Sequence, residues 1–244
     1  MLILLPPSES KRPGGVGISI DKLAIIWAAL DPARDQLISA LETLCRDPQA
    51  AIKALGLGKQ SAQDIALNLN LMIAPTMPAV QRYAGVLFDA LNYDSLSDSA
   101  KQRVSEQLFI QSALFGLLPA TEQIPNYRFS ASGKLPGINL KMVWREAHSA
   151  VWPRLVSPIL DMRSTAYVAL NPVPETNQSY FVEVFDHAGK ALNHFNKKAK
   201  GLFVRAALEC GLESPIQIPE IAKTAGLGCE IDGQSVRLIT PKGF

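Results

Sequence analysis

The sequence predicts an α+β protein, a single compact domain in which helices surround a mixed β-sheet. Segments whose apolar residues have helical spacing outnumber the short apolar runs, and their order is irregular rather than a regular alternation of strand and helix. No low-complexity linker or internal repeat divides the 244 residues, so one domain over 1–244 is expected. With 48% hydrophobic and 19% charged residues, the chain can bury a large core.

The first half begins with a strand and continues with helices. Residues 2–5 form an apolar run that stops at two prolines, which predicts a buried strand and a loop to residue 17. Asp31 followed by Pro32 predicts the N-cap and first position of a helix to about residue 46. Further helices are predicted over 48–55, from after 58 to about 70, over 78–91 and over 98–107.

The second half mixes strands and helices. Residues 108–114 are apolar, and their periodicity fits either a strand or the continuation of a helix. The next predicted elements are a loop over 119–137, a helix over 139–156, strands over 158–162 and 180–185, and a helix over 197–210 that ends at Gly211. A short helix is predicted from Pro219, and a terminal hairpin pairs 229–231 with 236–239 around Asp232 and Gly233.

Composition and cysteine usage exclude several classes of protein. The formal net charge of +2 is too mild to indicate a nucleic-acid partner unless the positive side chains cluster. Cys45, Cys210 and Cys229 are far apart in the chain, so they predict neither a disulfide framework nor a zinc site. The N-terminal apolar run is too short for a signal peptide or a membrane span, so we expect a cytoplasmic protein without a membrane partner.

The familiar catalytic motifs are also absent from the sequence. It has no G-x-x-x-x-G-K-[ST] loop, no dinucleotide-binding fingerprint, no G-x-S-x-G and no H-E-x-x-H. His148, His187 and His194 share no metal-ligand spacing. We therefore predict no cofactor and no metal, and the sequence leaves open whether the chain is an enzyme.

A polar loop directly after the first strand is the first candidate site. Ser8, Lys11 and Arg12 lie there, together with Glu9 and Ser10, between prolines and glycines. Loops at the end of a buried strand often carry binding residues, although an ordinary solvated turn has the same composition.

Residues 55–65 match the helix-hairpin-helix pattern, within an element expected over about 48–70. Gly56 and Gly58 allow a tight turn that brings backbone N–H groups to the surface at a helix N-terminus. Such donors, with Lys59 beside them, can hold a phosphate oxygen without reading the base sequence. The alternative is a plain interhelical turn.

A cluster of polar and cationic residues opens the helix predicted over 197–210. The cluster consists of Asn196, Lys197, Lys198, Lys200 and Arg205, next to His194. Asn196 can cap the helix, whereas lysines at a helix N-terminus oppose the helix dipole, a conflict that a bound anion would reverse. The alternative is a solvated face on which Arg205 pairs with Glu209.

Two further segments contribute an aromatic residue and two arginines. Arg128 can make a forked contact with phosphate, and Tyr127 can stack on a base, although Tyr127 alone is more typical of a core residue. Arg163 follows the strand predicted over 158–162, at a strand end where ligand sites gather, unless it only pairs with Asp161.

Five stretches of the chain, in the same order, resemble the YaaA peroxide-stress-resistance family. They are MLILLPPSESK, SALFGLLPATEQIPNYR, NLKMVWREAHSAVWPRL, DMRSTAY and HFNKKAKGLFVRAALE. Each stretch alone is a weak match, but five in order are specific. The opening stretch is similar to an actinobacterial subgroup of the family.

This resemblance implies a cytosolic protein of the hydrogen-peroxide stress response that is linked to keeping free intracellular iron low. It also implies a compact mixed fold with a helix-hairpin-helix element and a positively charged cleft that binds DNA. By matching motif positions, the cleft would include Lys11, Arg128, Lys197, Lys198 and Arg205. The family often has arginine at position 200, and the lysine found here keeps the charge but not the bidentate fork.

Two functions remain open for such a cleft. One is DNA binding through backbone phosphates, mostly without sequence preference. The other is an enzyme or small-ligand binder for a phosphorylated or nucleotide-like molecule, which scattered polar loop residues suit better than a broad DNA surface. Direct iron sequestration is disfavoured because no Glu-x-x-His or clustered carboxylate–histidine pattern occurs. A monomer is favoured.

Overall fold

A sheet of mainly parallel strands organises the chain. The computed structural model describes residues 1–20, 25–192 and 196–244. Within these ranges the strands are β1 (Leu2–Leu5), β2 (Met77–Pro78), β3 (Leu108–Ser112), β4 (Gly116–Pro119), β5 (Gln123–Ile124), β6 (Ile159–Asp161), β7 (Ser179–Phe185), β8 (Gly228–Asp232) and β9 (Ser235–Ile239). The helices there are α1 (Asp31–Cys45), α2 (Pro48–Leu55), α3 (Ser61–Leu69), α4 (Ala79–Arg82), α5 (Val86–Leu91), α6 (Asp98–Gln107), α7 (Leu140–His148), α8 (Thr165–Leu170), α9 (Asn196–Cys210) and α10 (Ile218–Thr224).

The main sheet has the strand order β4-β3-β1-β6-β7-β9-β8, and β2 pairs separately with β5. Strands β3, β1, β6, β7 and β9 run parallel, whereas β4 and β8 are antiparallel edges. The chain order reverses at β1, which has β3 on one side and β6 on the other. Ligands of open sheets gather at the carboxyl ends of the strands at such a switch point. The predicted α+β class with a mixed sheet is confirmed.

Strand β1 forms where the sequence predicts it, because its residues are apolar and the two prolines that follow cannot donate to a ladder. Ile3, Leu4 and Leu5 have no exposed surface. The strands β3 and β6 beside it are buried along their whole length. Burial of every residue is typical of parallel strands with helices over both faces.

The predicted helix over 78–91 is wrong as a continuous helix. The structure divides it into α4 and α5, because Gly85 has φ 105, a conformation that a helix does not contain. Tyr83 becomes extended and pairs as an isolated antiparallel bridge with Lys11. This break positions the loop after β1 against the rest of the molecule.

Other differences lie at helix ends. The helix predicted over 139–156 ends as α7 at His148, and a 3-10 turn over Trp152–Arg154 follows it. Asp31 is the first helical residue rather than the N-cap, and its carboxylate pairs with Arg34 at 2.8 Å. The sequence did not predict β4 or α8.

The pair α2–α3 forms as predicted, with Asp47 capping α2 through the backbone N–H groups of Gln49 and Ala50. Gly56 ends α2 in the left-handed region, at φ 63. These features establish two helices and a tight connection, while the phosphate-binding helix-hairpin-helix assignment stays a prediction. In the part of the chain that the structure describes, no helix has the length and apolar character needed to cross a bilayer.

Candidate phosphate-binding cleft

Two cavities adjoin at the carboxyl end of β1, and both have Glu9 and Ser10 in their walls. The first cavity, about 680 Å³, lies between the loop after β1, the segment after β6 and the start of α9. The second cavity, about 760 Å³, lies between the same loop, the α2–α3 turn and residues 126–128. We call the two cavities together the cleft.

The first cavity is lined by hydroxyl groups and two lysines. Its polar walls are Ser8, Glu9, Ser10, Ser130, Ser132, Ser164, Tyr167, Asn196, Lys197 and Lys200. Lys200 is buried, and its Nζ donates to the carbonyl oxygen of Met162 at 2.9 Å. Burial lowers the pKa of Lys200 to about 8, although the carboxylates of Asp161 and Glu183 oppose the shift. Its amine therefore titrates close to neutral pH.

Asn196 and Lys197 reach the first cavity from the first turn of α9. The side-chain amide of Asn196 donates to the carbonyl oxygen of Leu192 at 3.0 Å, and Lys197 is exposed at the rim. Among the described residues α9 begins at Asn196, and the capping role that the sequence suggests for this residue stays a prediction. His194, which the sequence places beside this cluster, lies outside the described residues.

Lys11 lines the second cavity with its amine held beneath the loop. Its Nζ donates to the carbonyl oxygens of Ser8 at 3.1 Å and Glu9 at 3.3 Å. The same atom lies 4.2 Å from the ring centre of Tyr127 and 5.4 Å from that of Tyr83. Although the residue as a whole is only half-buried, desolvation of the amine, with a smaller contribution from Arg128, lowers the pKa of Lys11 to about 7.

A chain of hydroxyl groups fixes the aromatic faces around Lys11. The hydroxyl of Tyr127 lies 2.7 Å from the hydroxyl of Tyr83 and 2.7 Å from Ser112 Oγ. Ser112 Oγ also accepts the backbone N–H groups of Leu114 and Phe115 at 3.0 Å. Burial raises the pKa of both tyrosines, which keeps their rings neutral. Tyr127 is a core residue whose face contacts the amine of Lys11, and its ring is not free to stack on a base.

Arg128 reaches the second cavity already paired. Its Nη2 lies 3.0 Å from a carboxylate oxygen of Glu9, and its Nε lies 3.9 Å from one of Asp64. Its backbone is clamped by the side chain of Asn68, through hydrogen bonds of 2.8 and 3.0 Å. The cavity thus combines cationic side chains with carboxylates that can release Arg128 when an anion enters.

The structure brings most of the predicted site residues together. Ser8, Asn196, Lys197 and Lys200 line the first cavity, and Lys11, Gly58, Lys59, Tyr127 and Arg128 line the second. Because both cavities share the segment Glu9–Ser10, side chains from four distant stretches of the sequence meet around one cleft.

Arg163 is a correction, because the structure places it in the core and in the lining of neither cavity. It forms a bidentate pair with Asp161, with Nη2 at 2.7 Å and Nε at 2.8 Å from the two carboxylate oxygens. Its Nη1 donates to the carbonyl oxygen of Asn171 at 2.8 Å. With these donors used, the side chain serves the fold, as the alternative interpretation of the sequence stated.

Four other predicted residues also lie outside both linings. Arg205 donates to the carbonyl oxygens of Leu91 and Asn92, at the end of α5. The remaining three are Arg12, which pairs with Asp94 at 3.4 Å, Lys198, whose amine lies 4.5 Å from the ring centre of Phe244, and Gly56, which ends α2. Long cationic side chains have many possible local partners, and sequence alone does not choose among them.

Sequence analysis missed several residues in or beside the cleft, among them Tyr83, Ser112 and Tyr167. Tyr83 fitted an apolar helical stripe, and Ser112 lay in an apolar run. Tyr167 lines the first cavity from α8, an element that the sequence did not predict. The glycine at 85 was a signal that could have placed Tyr83 outside a helix. Among the described residues, no three His, Cys, Asp or Glu side chains gather as metal ligands would.

The fold and the cleft define an α+β protein with lysine-bearing, hydroxyl-lined cavities at the switch point of its sheet. A family model described as peroxide stress protein YaaA matches residues 1–230, and the chain belongs to this family. It is 37% identical over 240 residues to a UPF0246 protein of Corynebacterium efficiens, covering 95% of this chain and 96% of the relative. A UPF0246 protein of Streptomyces coelicolor is 36% identical over 244 residues, covering 96% and 93%.

A more distant relative, an uncharacterized protein of Campylobacter jejuni, is 26% identical over 208 residues, covering 84% of this chain and 83% of the relative. The two relatives with higher identity come from actinobacteria, which confirms the resemblance to that subgroup.

Proposed function

We propose that this chain is a cytoplasmic protein of the peroxide-stress response that binds DNA through backbone phosphates, largely without sequence preference. The link to low free iron that the family resemblance implies belongs to the same proposal. The observation that carries it is the convergence of Lys11, Lys59 and Arg128 on one cavity beside the glycine turn after α2.

The turn between α2 and α3 offers backbone N–H donors and a lysine to a phosphodiester. Gly58 and Lys59 precede the first residue of α3, where backbone N–H groups and the helix dipole favour an anion. Lys59 is exposed, so its side chain can contact a phosphate without first leaving a buried position in the protein. Contacts of this kind position a duplex and do not read its bases.

Salt dependence of binding tests this proposal. Fluorescence anisotropy of a labelled duplex should show binding at low salt, and the logarithm of the association constant should fall with the logarithm of salt concentration by roughly 0.9 per phosphate neutralised. About two or three cationic contacts would give a slope of about −2 to −3. No binding at low salt, or an association constant that does not change with salt concentration, would contradict the DNA-binding proposal.

A second candidate is the binding of a small phosphorylated or nucleotide-like molecule in the first cavity. Its position at the switch point and its volume of about 680 Å³ favour this function, because small-molecule sites have this location and size. Lys197 and Lys200 supply the charge, and the serines supply hydroxyl donors.

Thermal-shift screening with nucleotides and sugar phosphates tests the second candidate. A binding compound should raise the melting temperature of the wild type and of Lys198→Met, whose side chain lies outside the cavity, but not that of Lys197→Met. If no compound raises the melting temperature while DNA binds tightly, this candidate fails.

A further inference from the structure

We propose that Lys11 is a reactive amine that forms an imine with an aldehyde carrying a phosphate group, in the second cavity. The proposal rests on the proposed function and deepens it, because it names the chemistry of a ligand for the same cleft. Such an aldehyde has two sources, a free sugar phosphate or the ring-opened sugar of an abasic site in DNA. Both place a carbonyl carbon a few bonds from a phosphate.

The surroundings of Nζ suit a neutral amine. The carbonyl oxygens of Ser8 and Glu9 accept two hydrogen atoms, which is all that a neutral amine donates, and neither hydrogen bond uses the nitrogen lone pair. The face of Tyr127 favours the ammonium form, but desolvation and the nearby Arg128 oppose it. A lysine that is desolvated and next to another cation is the kind of amine that attacks carbonyl groups.

The net lowering of the Lys11 pKa is large enough to change the charge of its amine near neutral pH. With its pKa lowered to about 7, Lys11 is mostly neutral at pH 7.4. An ordinary lysine with a pKa of about 10.4 has only ~0.1% of its amine neutral at that pH. The charged groups that act on Lys11 are Arg128, Glu9, Asp64 and Arg82, and the hydroxyl-bearing rings beside it are Tyr83 and Tyr127.

The same cavity can hold the phosphate of the aldehyde. Lys59 and Gly58 line it opposite the loop that carries Lys11, and Arg128 lies between its two carboxylates. A phosphate there replaces the carboxylates of Glu9 and Asp64 as the partner of the guanidinium. The anion then tethers the carbonyl carbon near Nζ, which raises its effective concentration.

The reaction balances without any further reactant. The nitrogen lone pair attacks the carbonyl carbon, and a carbinolamine forms. The carbonyl oxygen leaves as water with the two hydrogen atoms of the amine, and the C=N bond replaces C=O. Sodium borohydride adds hydride to the imine carbon and converts the adduct into a stable secondary amine.

Borohydride trapping of the full chain tests the proposal. One arm uses glyceraldehyde 3-phosphate, a second uses glyceraldehyde without phosphate, and a third uses a duplex with one abasic site. Peptide mass spectrometry should find the adduct on Lys11 at least about tenfold above the exposed lysines that line neither cavity, because the bound phosphate holds the carbonyl carbon near its amine. The phosphorylated small aldehyde should label more than glyceraldehyde, and the stronger of the phosphorylated arms identifies the source.

Variants provide the controls. Lys11→Arg should abolish trapping, whereas Lys223→Arg, at an exposed lysine that lines neither cavity, should retain the adduct on Lys11. Trapping in the wild type should rise as pH increases through about 7. Even labelling of all lysines, or unchanged trapping in Lys11→Arg, would overturn the proposal, and the wild-type peptide map decides the matter if that variant does not fold.

Failure of this inference is distinguishable from failure of the proposed function. Salt-dependent DNA binding with no adduct on Lys11 would overturn the imine proposal and leave the DNA-binding proposal unaffected. An adduct confined to Lys11 with no measurable DNA binding would support the amine chemistry and contradict the DNA proposal.

Discussion

At the scale of single residues, burial separates the arginines that hold the fold from those that reach the cleft. Arg163 has no exposed surface and spends its donors on Asp161 and the carbonyl oxygen of Asn171. The side chain of Arg128 is 24% exposed and pairs with carboxylates at the cavity wall. The sequence suggested a ligand-binding role for both arginines, so only their surroundings in the fold tell them apart.

The Arg163–Asp161 pair predicts a large loss of stability when one partner is removed. Arg163→Met leaves the carboxylate of Asp161 buried without its cation, and we expect the free energy of unfolding to fall by about 3–5 kcal/mol. Urea unfolding measures the change. The matched control is Arg12→Met, since the Arg12–Asp94 pair is exposed and should cost less than about 1 kcal/mol. Equal losses in the two variants would contradict this account.

His148 predicts a pH dependence of stability. Its Nε2 accepts the backbone N–H of Leu117 at 3.0 Å and its Nδ1 lies 2.7 Å from the carbonyl oxygen of Trp144, so the proton resides on Nδ1. Burial lowers the pKa of His148 from 6.5 to about 4 in the folded state. Between pH 6.5 and 4, His148 therefore binds a proton in the unfolded chain but not in the native state.

The stabilising effect of neutral His148 is complete above pH 6.5 and is lost as pH falls towards 4. We expect the wild type to lose up to ~3 kcal/mol of unfolding free energy across this window from His148 alone. Urea titrations at several pH values should show this loss in the wild type and in the control His187→Gln, an exposed site. His148→Gln should have a flatter profile, and an unchanged profile would contradict the assignment.

At the scale of elements, the break between α4 and α5 shows where sequence patterns stop being sufficient. The apolar stripe over 78–91 predicts one helix, and the buried side chains of Val80, Leu87 and Phe88 agree with that pattern. The chain nevertheless extends at Tyr83, because the bridge to Lys11 and the hydroxyl contact with Tyr127 stabilise it there. A long-range contact overrides the local helical preference.

Helices α5 and α9 make a close contact that depends on Gly201. A Cβ at this position would run into the carbonyl oxygen of Leu87 and lie 2.7 Å from the Cβ of Ala90. Gly201→Ala should force the two helices apart and lower the free energy of unfolding by about 1–3 kcal/mol. Chemical denaturation provides the measurement, with Gly58→Ala as the control because open space surrounds that glycine. A neutral Gly201→Ala would show that the helices are not held this closely.

At the scale of the whole molecule, the sequence predicted a mixed sheet and most of the residues of the cleft. It did not predict that the cleft consists of two cavities. Strand β1, the α2–α3 pair and α9 are local patterns, so their positions in the chain could be inferred. Lys198 and Lys200 are two residues apart on α9 and lie on opposite faces of it, and the face that is buried depends on how the helix packs against α5 and β7. The pairing of Arg128 with Glu9 and Asp64 likewise exists only in the folded chain.

The most direct measurement of the central claim is DNA affinity after charge reversal inside and outside the cleft. Lys59→Glu changes the second cavity, whereas Lys223→Glu changes an exposed lysine that lines neither cavity. Anisotropy titrations over a range of salt should show at least about tenfold weaker binding for Lys59→Glu, a salt slope reduced by about one phosphate contact, and little effect of Lys223→Glu. Equal weakening by both variants, or wild-type affinity for Lys59→Glu, would contradict a phosphate-binding cleft.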